Sequence, residues 1–383
     1  MKKVAVVTAT RAEYGILSPL IMRLEAEPEI ELQLLVTGTH LSEKYGKTED
    51  EIIKDGLPVY ARIPILEGGN TAYDVSCTMA NALKGFAGYF AKEHPDLLVV
   101  LGDRTEMLGI CCAAMNERVP IAHLHGGELT EGAVDDCVRH ALAKMSYLHF
   151  PASEEYRRRI IQLGESPDRV FNVGALGVEN ILKTPLLSYE EMCESVEIPK
   201  GQKYVVVTFH PVTLEDGSEI AQVDALIEAM RQRSEYFYLI TKANADVGGE
   251  IVNQRLEAYC QSTSNAKLVA SLGMQRYLSA VKYSSFVLGN SSSGIIEAPV
   301  FGVPTVNIGD RQKGRLMADT IIQCGNGTGE IVAAMDKAMG TEHVVSGLYG
   351  EGNTSERIVE VIKEFLLDEK VDLKKKFYDV EFS

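Results

Sequence analysis

Between residues 99 and 141 the chain reads VVLGDRTEMLG and then PIAHLHGGELTEGAVDDCVRHA. Two apolar runs, 97–101 and 119–124, each end in a burst of ionisable residues. The first burst holds Asp103, Arg104 and Glu106. The second holds His123, His125, Glu128, Glu131, Asp135, Asp136, Arg139 and His140. Carboxylates and imidazoles can take and return protons, and a guanidinium can hold a departing anion. An apolar run of about five residues suits a strand buried on both faces of a parallel sheet. Ligands of such sheets bind just beyond the carboxyl ends of the strands. A solvated, charge-rich loop would have the same composition. The glycine pair Gly126-Gly127 and two histidines are poor choices for solvation alone, and they point to close backbone approach to a ligand.

The second half carries a different chemistry. A strand at 286–288 runs into Gly289-Asn290-Ser291-Ser292-Ser293-Gly294, followed by Ile295-Ile296-Glu297-Ala298. A Gly/Ser turn feeding a helix offers free N–H groups, hydroxyls and the positive end of the dipole, in the form of a phosphate or diphosphate cradle. Simple N-capping would use the same residues. Neither a Walker A loop nor GxGxxG is present, so neither an ATPase nor a dinucleotide fingerprint is supported. Glu297, early in that helix, can accept from two sugar hydroxyls. The strand at 204–208 ends in Phe209-His210-Pro211, which fixes His210 where it can neutralise a phosphate or move a proton. Residues 241–246, with Asn244, and Gly309-Asp310-Arg311-Gln312 supply further donors at strand ends. Arg311 suits a phosphate through its fork of N–H groups. The loop after the first strand, Thr8 to Gly15, lacks a glycine-rich turn, so a nicotinamide cofactor is not expected. Arg11 there can contact an anion.

These groups need elements to position them. In the first half, strands are expected at 4–8, 31–37, 97–101, 121–124, 147–150 and 170–172. Helices alternate with them at 17–26, 74–93 and 134–145. The character changes near 182–201, and the alternation restarts with strands at 204–208, 236–241, 267–269, 286–288 and 305–307. Repeated βα units imply doubly wound parallel sheets. At 383 residues, two domains are expected. They are placed at 1–185 and 186–365, with a tail, 366–383, and the helix 354–367 as candidates to pack back on the first. The fold class is therefore α/β, with two Rossmann-like domains facing across a cleft into which both sets of motifs would converge.

The totals exclude several functions. A formal charge of −16 argues against a nucleic-acid partner, although local arginines can still hold a small anion. Seven cysteines without a CxxC pair fit buried thiols in a reducing cytoplasm. The apolar run after MKK is too short for a signal peptide. No run is long enough to span a membrane. His123, His125 and Glu128 have a spacing that could bind zinc. His123, however, belongs to an apolar strand, and no metal or cofactor is expected.

The segments TATRAEYG, LGDRTE, HLHGGE with TEGAVDDCVRHA, TFHPVT, GNSSSGIIEA, NIGDRQKGR and YGEGN occur in order from residue 8 to about 365. Together they resemble the hydrolysing UDP-N-acetylglucosamine 2-epimerases of sialic-acid synthesis. A sister group with similar motifs acts on UDP-N,N′-diacetylbacillosamine in legionaminic-acid synthesis. The resemblance implies a GT-B fold and a nucleotide-sugar substrate converted to free N-acetylmannosamine and UDP. Elimination of UDP would give a 2-acetamidoglucal, and water would then add with inverted stereochemistry at C2. It further implies Asp103, Glu128 and Asp135 as acid/base groups and His210 as base or phosphate stabiliser. Arg11, Asn244, Asn290, Ser291, Ser292 and Arg311 would hold UDP, with Arg104 assisting.

Relatives can carry a glutamate where His125 stands, so the carboxylate role falls to Glu128 or to His125 itself. Asp135 and Asp136 point about 100° apart on a helix, and one of them faces the sugar. His140 reads as structural. Other readings of the same motifs are a GT-B glycosyltransferase, a non-hydrolysing epimerase and a nucleotide-sugar sensor. The segment 63–74 would bear on substrate choice. The apolar surface of 74–93 suits pairing in a homo-oligomer.

Overall fold

The computed structural model describes residues 1–383 apart from 70, 130–133, 212–218, 244–248, 368–371 and 382–383. It divides into two compact units. The first comprises Met1–Asn180 and Tyr349–Ser383, the second Ile181–Leu348.

The first unit holds six strands: β1 (Lys2–Thr8), β2 (Ile30–Thr37), β3 (Ala61–Ile63), β4 (Leu97–Leu101), β5 (Ile121–Leu124) and β6 (Leu148–Phe150). They form one sheet in the order β3-β2-β1-β4-β5-β6, and every ladder is parallel. Alternate residues explain the continuous apolar runs. Val4, Val6, Leu97 and Val99 face one core, while Ala5, Val7, Leu98 and Val100 face another. With both faces covered, strand positions are mostly apolar, and polar ones such as Gln33, His123 and His149 are fully buried. Chemistry is thereby pushed to the strand ends. Since β1 pairs with both β2 and β4, the winding reverses between β1 and β4, and a crevice opens there.

The second unit repeats the plan with β7 (Tyr204–Thr208), β8 (Phe237–Thr241), β9 (Ala266–Val269), β10 (Val287–Gly289), β11 (Thr305–Ile308) and β12 (Ile321–Cys324). Their order is β12-β11-β10-β7-β8-β9. Counted from its own first strand, this is the same arrangement, with the reversal between β7 and β10. Gly289 closes β10 at φ 141°, and a Cβ there would collide with the Thr208 carbonyl. Only glycine lets β10 lie against the end of β7.

Several expected bounds move. The expected strand at 170–172 is only a single bridge between Val170 and His149. The first helix starts at Arg11, because the Thr10 hydroxyl accepts from Glu13 N at 3.3 Å and caps it there. The second unit ends at Leu348, not at 365. Helix Thr354–Leu367 belongs to the first unit because Ile358, Val359, Ile362 and Leu366 enter its core. Its N-terminus is held by the buried Glu179 carboxylate, which accepts from Ser355 N and Ser355 Oγ, both at 2.6 Å. A carboxylate at that end also satisfies the helix dipole. Beyond it, Tyr378 N donates to Gly164 O at 3.0 Å, so the tail also packs on the first unit. Among the described residues, no helix is long and apolar enough to cross a membrane.

Ile362→Ala should therefore destabilise the protein by about 2–5 kcal/mol in urea denaturation. Leu367→Ala, on the exposed face of the same helix, should change it by no more than about 0.5 kcal/mol.

Candidate active site

Three strand ends of the first unit build one cavity of about 280 Å³, whose lining includes Thr10, Glu13, Asp103, Arg104, His125, Glu128 and Arg139. After β1, the helix N-terminus turns Glu13 inward. Its Oε2 accepts from Ala9 N at 3.0 Å, and its Oε1 is buried with no partner among the described residues. Burial pushes this carboxyl up to about 7. The Arg104 guanidinium, 4.0 Å away, opposes the rise and Glu106 adds to it.

After β4 come Gly102, Asp103 and Arg104. Arg104 Nε donates to Glu106 Oε1 at 2.6 Å. Although burial disfavours its charge, Glu106, Glu13 and Asp135 hold the guanidinium in its cationic form.

At the end of β5, the fully buried His123 meets the Gly102 carbonyl through Nε2 at 2.7 Å, tying the two strand ends together. Burial lowers its pKa to about 4, so it is a neutral donor at physiological pH. His125 has φ 59°, a left-handed conformation uncommon for a residue with a side chain. Its Nδ1 lies 3.1 Å from Glu128 Oε1, and its Nε2 is buried without a partner among the described residues. The glycine pair makes a close approach to the protein itself. A Cβ on Gly126 would press on the His123 ring, and one on Gly127 would strike the Tyr156 carbonyl.

Helix Val134–Met145 closes the site with Arg139, which is only 4 % exposed. Its guanidinium pairs with Asp103, with Asp136 at 3.2 Å, and donates to the Glu128 carbonyl at 2.9 Å. Asp136 also faces His140 Nε2 at 3.5 Å. The two neighbouring aspartates are thus distinguished. Asp136 is tied to Arg139 and His140, while Asp135 is exposed and bears on Arg104.

The second unit has a cavity of about 400 Å³ at the ends of β7, β8, β9 and β10. Its lining includes Thr208, Thr241, Lys242, Ser271, Tyr277, Ser291, Ser293 and Glu297. Ser291 caps the helix Ser292–Ile296, its Oγ accepting from Ser293 N at 3.4 Å. Burial raises the pKa of Glu297, against a hydrogen bond from Ser293.

Asn290 is spent differently from the expectation of a substrate contact. It is 1 % exposed, and its amide holds the backbone of His210 from both sides, at 2.7 and 2.8 Å. The Asn290 carbonyl accepts from Arg311 Nη1 at 3.2 Å and from Gln312 Nε2 at 2.9 Å. Asn290 therefore sets the loop that carries His210. Arg311, His210 and Ser292 are not among the residues lining this cavity. Arg11 is exposed and paired with Glu51 at 3.0 Å, and Asn244 lies outside the described residues.

The first cavity thus unites Asp103, Arg104, His125 and Glu128. The second unites Ser291 and Glu297. Sequence reasoning missed Glu13 and the role of Arg139. The signal for Arg139 was a cation three residues beyond Asp136 on an amphipathic helix.

Because Glu13 holds its proton more tightly when folded, that contribution is complete below 4.5 and is lost as pH rises from 4.5 to about 7. Across this window the wild type should lose stability relative to Glu13→Gln, at up to about 1.4 kcal/mol per pH unit. Denaturant titrations at stepped pH measure it.

Comparison with known proteins gives this geometry its context. The family model described as UDP-N-acetylglucosamine 2-epimerase matches residues 22–363. The chain is 39% identical over 322 residues to the GDP/UDP-N,N′-diacetylbacillosamine 2-epimerase (hydrolyzing) of Campylobacter jejuni, covering 84% of each chain. It is 36% identical to polysialic acid biosynthesis protein P7 of Escherichia coli, over 99% of this chain and 98% of that protein. The solved structure of the Neisseria meningitidis UDP-GlcNAc 2-epimerase bound to UDP-GlcNAc superposes with a TM-score of 0.78 at 18% identity. That match covers 94% of this chain and 100% of the other. At that identity the likeness speaks for the fold, two parallel sheets of the GT-B class. The chain belongs to the UDP-N-acetylglucosamine 2-epimerase family, among its hydrolysing 2-epimerases.

Proposed function

We propose that this protein converts UDP-N-acetylglucosamine into free N-acetylmannosamine and UDP, by elimination and rehydration, as a step toward nonulosonic acids. The observation that carries the reading is the presence of two separate acid/base groups in the lining of one cavity, Asp103 and the His125–Glu128 pair. Inversion at C2 removes a proton from one face of the sugar and returns one to the opposite face, so two groups are needed.

The chemistry balances without a cofactor. A base takes the C2 proton, the C1–O bond breaks with its electrons leaving on UDP, and a C1=C2 double bond forms. Water then supplies hydroxyl to C1 and a proton to C2 from the other face. The catalytic candidates are Asp103, Glu128 and His125, with Asp135 above Asp136 because Asp136 has both oxygens engaged, Oδ1 by Arg139 and Oδ2 by His140, whereas Asp103 meets Arg139 through Oδ2. Arg104 is the cation of this cavity next to Asp135.

In the second unit, Ser291, Ser292 and the helix they open suit a diphosphate, and Glu297 suits the ribose hydroxyls. Arg311, His210, Asn244 and Arg11 remain further candidates for the diphosphate. This reading assigns sugar chemistry to the unit Met1–Asn180 with Tyr349–Ser383 and nucleotide binding to the unit Ile181–Leu348. A second reading has one specific support, the 39% identity to the diacetylbacillosamine enzyme. That substrate would undergo the same chemistry. Helix Ala72–Glu93 exposes Tyr73, Val75 and Leu83, which suits burial against a second copy of the chain. All seven cysteines are free thiols, in keeping with work in a reducing cytoplasm.

UDP release from UDP-N-acetylglucosamine should fall by about 10²–10⁴-fold in Asp103→Asn and in Glu128→Gln, while UDP affinity stays near wild type. Wild-type turnover in either variant removes that residue from the chemistry. Turnover by the wild type of UDP-N,N′-diacetylbacillosamine alone transfers the reading to that substrate.

A further inference from the structure

In the second unit a chain of hydroxyls ends on a carboxylate. Tyr277 lies on helix Gly273–Tyr283, while Ser293 and Glu297 lie in and just after helix Ser292–Ile296. The Tyr277 hydroxyl is 2.6 Å from Ser293 Oγ, and Ser293 Oγ donates to Glu297 Oε2 at 2.6 Å. A hydroxyl has one proton to give. With Glu297 ionised, the Ser293 proton goes to Oε2, so Tyr277 must donate into Ser293. The direction of the chain is fixed, and both hydroxyl dipoles point toward the carboxylate.

All three residues line the 400 Å³ cavity, and Glu297 is the sole carboxylate among its described lining residues. Glu297 Oε1 has no protein partner among the described residues. The hydroxyls of Thr208 and Thr241, on the same wall, meet each other at 2.6 Å, and that of Thr208 also bears on Tyr277. The strongest acceptor offered to a ligand in this cavity is therefore Glu297, held from behind by Ser293 and Tyr277. A free glutamate side chain samples several rotamers. One oxygen pinned by a hydrogen bond leaves the other aimed in a single direction, and an aimed charge-assisted hydrogen bond is the stronger kind.

We propose that Tyr277 and Ser293 are positioning residues that aim Glu297 at the vicinal hydroxyls of the bound nucleoside, making this cavity selective for a ribonucleotide over its deoxy form. This rests on Glu297 serving as the ribose contact, as read above. The pair acts through Glu297 and need not touch the nucleotide.

The test is calorimetric binding of UDP and of 2′-deoxy-UDP to the full chain, in the wild type and in Ser293→Ala, Tyr277→Phe and Glu297→Gln. The wild type should prefer UDP by about tenfold, the scale of one charge-assisted hydrogen bond. Ser293→Ala and Tyr277→Phe should each lower that ratio toward the value of Glu297→Gln. Their residual binding of 2′-deoxy-UDP reports that the cavity is still folded.

Two results overturn the proposal directly. In one, both variants keep the wild-type ratio while Glu297→Gln loses it. In the other, both variants weaken the two nucleotides equally, as a packing role would. A wild type that binds UDP and 2′-deoxy-UDP alike removes the ribose contact itself, and the positioning role falls with it. Failure of the underlying reading is thus distinguishable from failure of the hydroxyl chain.

Discussion

Arg139 makes the acidic cluster of the first unit possible. Carboxylates gathered at the end of one sheet repel each other, and burial raises the cost of each charge. A guanidinium stays charged at any physiological pH and offers five donors in a rigid fork. Arg139, almost wholly buried, divides those donors among Asp103, Asp136 and the Glu128 carbonyl. Segments that follow β4 and β5, and the helix Val134–Met145, are thereby locked to one another. Losing one partner of such a buried pair typically costs about 3–5 kcal/mol. The cation also decides which carboxylates remain available. Asp136 has both oxygens engaged and Asp103 one, whereas Glu128 keeps its side chain for His125 and Asp135 lies nearer Arg104.

The same constraint acts twice in this chain. Both sheets are parallel and covered on both faces, and both have the same strand order with one reversal. Polar side chains gather where strands stop, and inside strands Gln33 and His149 are fully buried. In the first unit those ends carry acids and bases. In the second they carry hydroxyls, a glycine-tight turn at Gly289 and one half-buried carboxylate. One architecture thus gathers acids and bases in one copy and hydroxyls with a single carboxylate in the other.

Much of this was legible in the sequence because it is local. The five-residue apolar runs of β4, β7 and β8 identify strands buried on both faces. The residues that follow them identify the ends where ligands bind. What was illegible is non-local. Strand β3 is three residues long, too short to carry a period. The helix Thr354–Leu367 is plainly amphipathic, yet its address in the first unit depends on Glu179, some 176 residues away. Glu13 looks like an ordinary first-turn acid, and only the approach of Arg104 and Glu106 encloses it. Asn290 looks like a phosphate contact, but its amide is taken by the backbone of His210. The glycine pair after His125 signals close approach, and the partners the fold supplies are the His123 ring and the Tyr156 carbonyl. Sequence spacing shows which groups stand near a strand end. It does not show which of them are already satisfied by the protein.

In the proposed reaction, two acid/base groups in one cavity exchange the C2 proton of a UDP-linked sugar while its C1–O bond is cleaved. Proton NMR of the reaction in D₂O with UDP-N-acetylglucosamine reads both events together. Free N-acetylmannosamine with deuterium at C2, formed with one equivalent of UDP, is the predicted result. Protium retained at C2, or a product still joined to UDP, would contradict the account.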